Sequence, residues 1–177
     1  MIESFARTYF TPEDDVKSVV DGLPASASRS LDVEIYGLTD MVLVGRIAEA
    51  ADRGVAVRVM NDRSQAAGPA DARALRVLAQ AKGVEVRVVE SERRRIDHMK
   101  AMVVDGALGA VDGGSSVAWG SYNFSDGAQD QDNALRHTND AGEVARFMAK
   151  FDHDWADNVA KPEWQVQPPP VSSDGGG

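Results

Sequence analysis

With 177 residues, 43% of them hydrophobic and 27% charged, the chain has room for one domain with a real core and an ordinary globular composition. A formal net charge of -9 argues against a surface coated for nucleic-acid binding, so a phosphate-bearing ligand needs a local positive patch. The absence of cysteine excludes disulfides, zinc–thiolate sites and a thiol nucleophile, and no apolar run nears the roughly 18 residues of a membrane span.

Met1 to Ser4 lack the basic start and apolar core of a signal peptide, so a cytoplasmic setting is the default expectation. Ala6 to Phe10 reads as a short strand. Thr11 then caps a helix with Pro12 at its first position, and the acids Glu13 to Asp15 suit the positive end of the dipole rather than a metal. That helix carries Val16, Val19, Val20 and Leu23 on one face and breaks near Pro24. Leu31 to Tyr36 alternates as a strand with Leu31, Val33 and Ile35 together. A helix over Met41–Arg53 ends at Gly54, and Val55 to Met60 forms the next strand. After a polar loop from Asn61 to Gly68, Pro69 opens a helix with Leu75, Leu78 and Ala79 inward. Gly83 closes it ahead of the strand Val84 to Val89. Strand and helix thus alternate at βαβ spacing, which implies parallel neighbours. The expected fold is α/β: a mixed, largely parallel β-sheet flanked by helices on both faces, in one domain over 1–160. A Pro- and Gly-rich tail over 161–177 reads as disordered.

The stretch from Asp97 to Ser125 carries the chemistry. Ala101 to Val104 marks a buried strand, and side-chain alternation puts His98 and Lys100 on one side of it. Ser121 and Asn123 share a face of a second extended segment by the same rule. Between the two lies the Gly106 to Trp119 insert, of loop composition, either a flap or a plain hairpin excursion. An imidazole, an ammonium, a hydroxyl and an amide then converge on a pocket suited to a phosphate. Arg93, Arg94 and Arg95, just upstream, either supply the positive patch for substrate or form a solvated loop. Tyr36, near the C-terminal end of its strand, either lines the substrate site or packs in the core. Asp132 to Arg136 looks extended. The last helix, from about Asp140 to Asn158, spaces Val144, Phe147, Met148, Phe151 and Trp155 on one face.

The order His98-x-Lys100, four residues, Asp105, then Gly120-Ser121-x-Asn123, resembles the HKD signature of the phospholipase D superfamily. From roughly Thr8 to Trp155 the chain is similar to the small single-motif bacterial endonucleases of that superfamily. The resemblance implies a phospholipase D-like fold and a metal-independent phosphodiesterase without cofactor, cleaving nucleic acid, DNA before RNA. It also implies a homodimer with a composite site, since larger relatives carry two motifs in one chain. An acidic residue after the Gly-Ser-x-Asn element bonds the catalytic histidine in that group, and Asp132 holds the matching place, where glutamate is usual. Asp105, of opposite parity to His98, reads as a structural turn residue, as does Gly120 in the motif.

A neutral imidazole attacks phosphorus without metal, through a phosphohistidine, and a second histidine then serves as acid and base. Lys100, Ser121 and Asn123 fit as donors to the developing charge. Of the three histidines, His153 lies off the buried face of the last helix and His137 closes a strand with no lysine two residues on. Symmetry supplies the economical answer, with one His98 from each of two chains. Two other readings stand beside the nuclease: the same catalysis on a phospholipid headgroup, and a binding module that no longer turns over.

Overall fold

A computed structural model of the chain describes residues 3–90, 96–106 and 114–157. Its strands are β1 (Ala6–Thr11), β2 (Ser30–Ile35), β3 (Ala56–Asp62), β4 (Val84–Val89), β5 (Lys100–Val104), β6 (Ser116–Gly120) and β7 (Asn133–Thr138). The helices are α1 (Val16–Ser26), α2 (Met41–Asp52), the short α3 (Arg63–Ala66), α4 (Pro69–Gln80) and α5 (Ala141–Asp157). One mixed sheet runs in the order β1-β7-β6-β5-β2-β3-β4. The expected α/β fold with helices on both faces is found. Its parallel part is β2-β3-β4, where α2 and α4 make the crossovers. The other pairings are antiparallel, so the parallel share is smaller than βαβ spacing alone implies. Among the described residues only a 3-10 turn at Asp126–Asp130, and no α-helix, lies between β4 and α5, and short connections can join only antiparallel neighbours.

Strand β2 is buried along its whole length. Leu31, Val33 and Ile35 pack with Val57 and Val59 against Val20 and Leu23 of α1, Leu43 and Ile47 of α2, and Leu75 and Leu78 of α4. On the opposite face α5 lays Val144 and Met148 over Val103 and Val117, and Phe151 and Trp155 over Met60 and Val89. Arg58 sits over the Phe151 and Trp155 rings at 4.8 and 5.4 Å, and Arg87 sits 3.7 Å above Trp155. Arg58 also ion-pairs the buried Asp32 at 2.6 Å, which gives that carboxylate a partner inside the fold.

Several boundaries differ from the sequence reading. Helix α1 begins at Val16 with Asp15 as its cap, because the chain first turns after Thr11, whose hydroxyl bonds Gln131 O. Pro24 lies inside α1, which runs on to Ser26. The polar loop from Asn61 instead holds the end of β3 and the α3 turn, and Ala79 is exposed while Ala74 faces inward. The insert is not loop throughout: Ser116–Gly120 is β6, paired on both sides, with Val117 and Ala118 in the core. Gly120 is required there, since a Cβ would lie 2.0 Å from Ala134 O of β7. Arg93, Arg94, Arg95 and the 161–177 tail lie outside the described residues.

Asp105 ends β5 with a left-handed φ of 54°. Its carboxylate accepts from the backbone N–H groups of Ser28, Arg29 and Ser30 at 2.7–3.1 Å and from Ser28 Oγ at 2.7 Å. Burial alone would raise its pKa, but these bonds from Ser28, Ser30 and Arg29 hold it below the usual carboxylate range. Asp105 thereby fastens the start of β2 to the end of β5.

Candidate active site

Strand β2 pairs antiparallel with β5, so the C-terminal end of one meets the N-terminal start of the other. Ile35 lies opposite Lys100, and Tyr36 N donates to Met99 O at 2.8 Å. This register seats the Tyr36 ring against both motif residues. Its centroid is 4.6 Å from that of the His98 imidazole at 62°, an edge contact, and 4.8 Å from Lys100 Nζ. Tyr36 is therefore half-buried between the two rather than packed into the core. Gln65 Nε2 of α3 donates to its hydroxyl at 2.8 Å, and Asn61 Nδ2 reaches the carbonyl oxygens of Ile35 and Tyr36 at 3.2 Å.

His98 and Lys100 differ in environment. The imidazole is exposed and makes no hydrogen bond through its ring among the described residues. Lys100 is 4% exposed, and its ammonium donates to His98 O at 2.9 Å. Burial holds the Lys100 pKa below the ordinary lysine range, while the Asp97 and Asp62 carboxylates pull it back up.

The Gly120–Ser125 segment leaves the sheet after β6 but keeps the alternation. Tyr122 and Phe124 enter the core, while Ser121 is exposed and Asn123 half-buried. Phe124 N donates to Gly37 O at 3.1 Å, and Thr39 N and Asp40 N donate to Phe124 O, so the segment docks on the chain just past Tyr36. A Cβ on Gly37 would stand 3.7 Å from Asn123 Oδ1, an oxygen that is buried without a hydrogen-bond partner. Asn123 thus lies one residue along from the tyrosine that touches His98 and Lys100. Ser121 and Asp132 face elsewhere within the chain. Ser121 Oγ donates to Asn133 Oδ1 at 3.1 Å and accepts from Ala134 N at 3.0 Å. With Asp132, Phe10, Asp14 and Glu13 it lines an open groove of about 630 Å³. Among the described residues no hydrogen bond joins Asp132 to His98.

The family described as "Cardiolipin synthase, PLD-like domain" matches residues 24–155, which span β2 through α5 and the whole of this site. The chain belongs to the phospholipase D-like family. No curated protein matches it. Among solved structures, the phospholipase D family member Nuc from Salmonella typhimurium has a TM-score of 0.76 at 22% identity, over 87% of this chain and 95% of that one. NucT from Helicobacter pylori gives 0.74 at 18% identity, over 87% and 97%. Phosphatidylserine synthase from Haemophilus influenzae gives 0.61 at 12% identity, over 89% of this chain but 40% of that one. At these identities the likeness is one of fold.

In this phospholipase D-like chain the other histidines stand apart from His98. His137 on β7 contacts Ser116 Oγ at 3.2 Å and the Phe5 ring, and burial pushes its pKa down. His153 is an exposed residue of α5, 3.7 Å from Asp154. Among the described residues no group of three or more His, Cys, Asp or Glu could hold a metal ion, and no helix is long and apolar enough to cross a membrane. Sequence reasoning missed Asn61, Asp62 and Gln65 by placing them in a loop. Their signal was position, at the C-terminal end of a parallel strand beside Tyr36.

Proposed function

We propose that this chain is a metal-independent phosphodiesterase that cleaves nucleic acid, DNA before RNA, through a phosphohistidine on His98. The observation that carries the reading is the His98–Tyr36–Lys100 arrangement, an exposed imidazole held at the edge of a ring whose face meets a buried ammonium. A ring nitrogen of His98 attacks phosphorus, and the bond to the leaving oxygen breaks as that oxygen takes a proton from a second imidazole. Water then attacks phosphorus, gives its proton to the second imidazole, and the phosphorus–nitrogen bond breaks. Lys100 and Asn123 are the donors to the developing charge. The second imidazole is His98 of a second copy, because His137 and His153 lie apart from the site. Two such rings around one phosphate hold opposite protonation states and titrate as a pair. In this arrangement Ser121 and Asp132 line a separate groove and take no step at phosphorus, and Arg93, Arg94 and Arg95 meet the substrate backbone. The near-complete mutual coverage with Nuc and NucT supports a small single-motif enzyme.

The family description and the fold shared with a phosphatidylserine synthase favour a second reading, hydrolysis at a phospholipid headgroup. The partial coverage of that larger chain places it behind the first. Nicking of plasmid DNA and release of choline from phosphatidylcholine, both in EDTA, separate the two. The expected result is DNA cleavage that EDTA leaves within about twofold and that requires a dimer by sedimentation. Choline release alone selects the lipid, and oligonucleotide binding without either reaction selects a module that no longer turns over. Strong inhibition by EDTA removes the metal-free mechanism.

Tyr36 offers a finer test. Tyr36→Phe keeps the ring beside His98 and is expected to retain activity within about threefold, the worth of one neutral hydrogen bond. Tyr36→Leu removes the edge contact and the cation's ring, and kcat is expected to fall about 10- to 100-fold. Equal rates for the two variants would remove Tyr36 from the site.

A further inference from the structure

We propose that Glu34 is a positioning residue for His98, acting through a carboxyl–carboxyl hydrogen bond to Asp97 that fixes the turn presenting the imidazole. The inference rests on His98 being the nucleophile. Glu34 sits in the middle of β2, 2% exposed on the face covered by α5. Its strand neighbours, Met60 of β3 and Ala101 of β5, carry no charge. Its Oε1 is buried without a partner among protein donors. Asp97, 9% exposed, immediately precedes His98 and hydrogen-bonds the Glu34 carboxyl.

Asp97 is tied on both sides of the imidazole. Its backbone N–H donates to Asp62 Oδ2 at 2.6 Å, and its Oδ1 accepts from Met99 N at 3.2 Å. Asp62 is itself fixed, since its Oδ1 caps α3 by accepting from Ser64 N at 2.8 Å. The turn that presents His98 is thus a chain of carboxylates anchored to the ends of β3 and β5, and Glu34 backs it from the central strand. A carboxyl–carboxyl hydrogen bond exists only while one partner keeps its proton.

The other charges around Glu34 are few. Lys150 of α5 faces it and is itself ion-paired with Asp154, and Asp62 closes β3 on the same face. Two residues back along β2, Asp32 is bound to Arg58, which also meets Asp152 of α5. Burial pushes the Glu34 pKa up to about 8, Asp97 adds to the shift, and Lys150 opposes it. The folded chain therefore holds this proton well past the ordinary glutamate value of 4.5. Stability falls with rising pH between those two values and levels off above the higher one. Across the upper end of that window the Glu34–Asp97 bond is exchanged for two facing negative charges at the base of the turn.

The Met99 amide reads the turn directly. In ¹H–¹⁵N spectra from pH 6 to 10 it is expected to shift with a one-proton midpoint near the Glu34 value, about 8. Glu34→Gln, which keeps a donor towards Asp97, is expected to abolish that transition, and Asp97→Asn provides a second variant should the first fold poorly. A Met99 amide that stays still in the wild type, or moves equally in the variants, overturns the proposal. With bis(4-nitrophenyl) phosphate, wild-type kcat is expected to drop about tenfold from pH 7 to 9, the fraction set by one ionisation. Glu34→Ala is expected to lose about tenfold at pH 7, and Glu34→Gln to restore the rate. A titrating amide in a wild type that hydrolyses no phosphodiester leaves the positioning contact standing and rejects the catalytic reading instead.

Discussion

His98→Ala is expected to abolish phosphodiester cleavage, by more than about 10⁴-fold in kcat, the scale at which loss of a nucleophile or general acid–base group is felt. The fold and the proposed dimer should survive. The imidazole is exposed and its ring makes no hydrogen bond among the described residues, so its removal leaves neither a cavity nor an orphaned buried group. A melting temperature within about 2 °C of wild type, together with an unchanged sedimentation coefficient, would separate chemistry from folding. Lys100→Ala is a poorer experiment for the same question. That side chain is 4% exposed and bonds His98 O, so structure and catalysis fall together. A His98→Ala enzyme with near wild-type turnover would end the phosphohistidine assignment.

Asp105→Ala should show the converse, a large loss of stability at a residue whose carboxylate is turned to the start of β2. The substitution leaves the N–H groups of Ser28, Arg29 and Ser30 without their acceptor and places alanine at a φ of 54°. Each lost hydrogen bond to this charged acceptor is worth about 1.5–3 kcal/mol and the left-handed backbone adds to it, so the total should exceed about 3 kcal/mol. For a domain of this size that is a fall in melting temperature of roughly 6–12 °C. Asp105→Asn retains one acceptor oxygen and tolerates the left-handed region, and should cost about half as much. The sign with pH is set by the lowered pKa: the contribution is present above the ordinary carboxylate value of 3.8 and is lost as pH falls through the folded value. A melting temperature unmoved by Asp105→Ala would show that the β2–β5 corner is held by its ladder alone.

What could be read in the sequence was local. Gly54, with positive φ, follows the end of α2 directly, whereas α4 already ends at Gln80 with Ala81 extended and Gly83 serves the turn into β4; the apolar runs around Leu31, Val57 and Val86 marked the strands. The HKD spacing and the Gly-Ser-x-Asn element carried the family, which the match over residues 24–155 establishes. What escaped was set by pairing between distant segments. Tyr36 could not be placed against His98 without knowing that β5 runs antiparallel beside β2. Ser116–Gly120 reads as loop because Gly113 to Ser116 has loop composition, yet its Val117 and Ala118 complete the core between β5 and β7. Glu34 carried no warning at all. Polar residues alternating with Leu31, Val33 and Ile35 ordinarily face water, and only α5, arriving more than a hundred residues later, turns that side into interior.

That late arrival has a consequence during synthesis. Among the described residues α5 is the one helix over its side of the sheet, and it leaves the ribosome after every strand it covers. Until it emerges, Met60, Val89, Val103 and Val117 form an uncovered apolar strip flanked by Asp32 and Glu34, a surface that invites chaperones or a neighbouring nascent chain. The guanidinium–ring stacking of Arg58 and Arg87 on Trp155 is then the latch that closes the molecule.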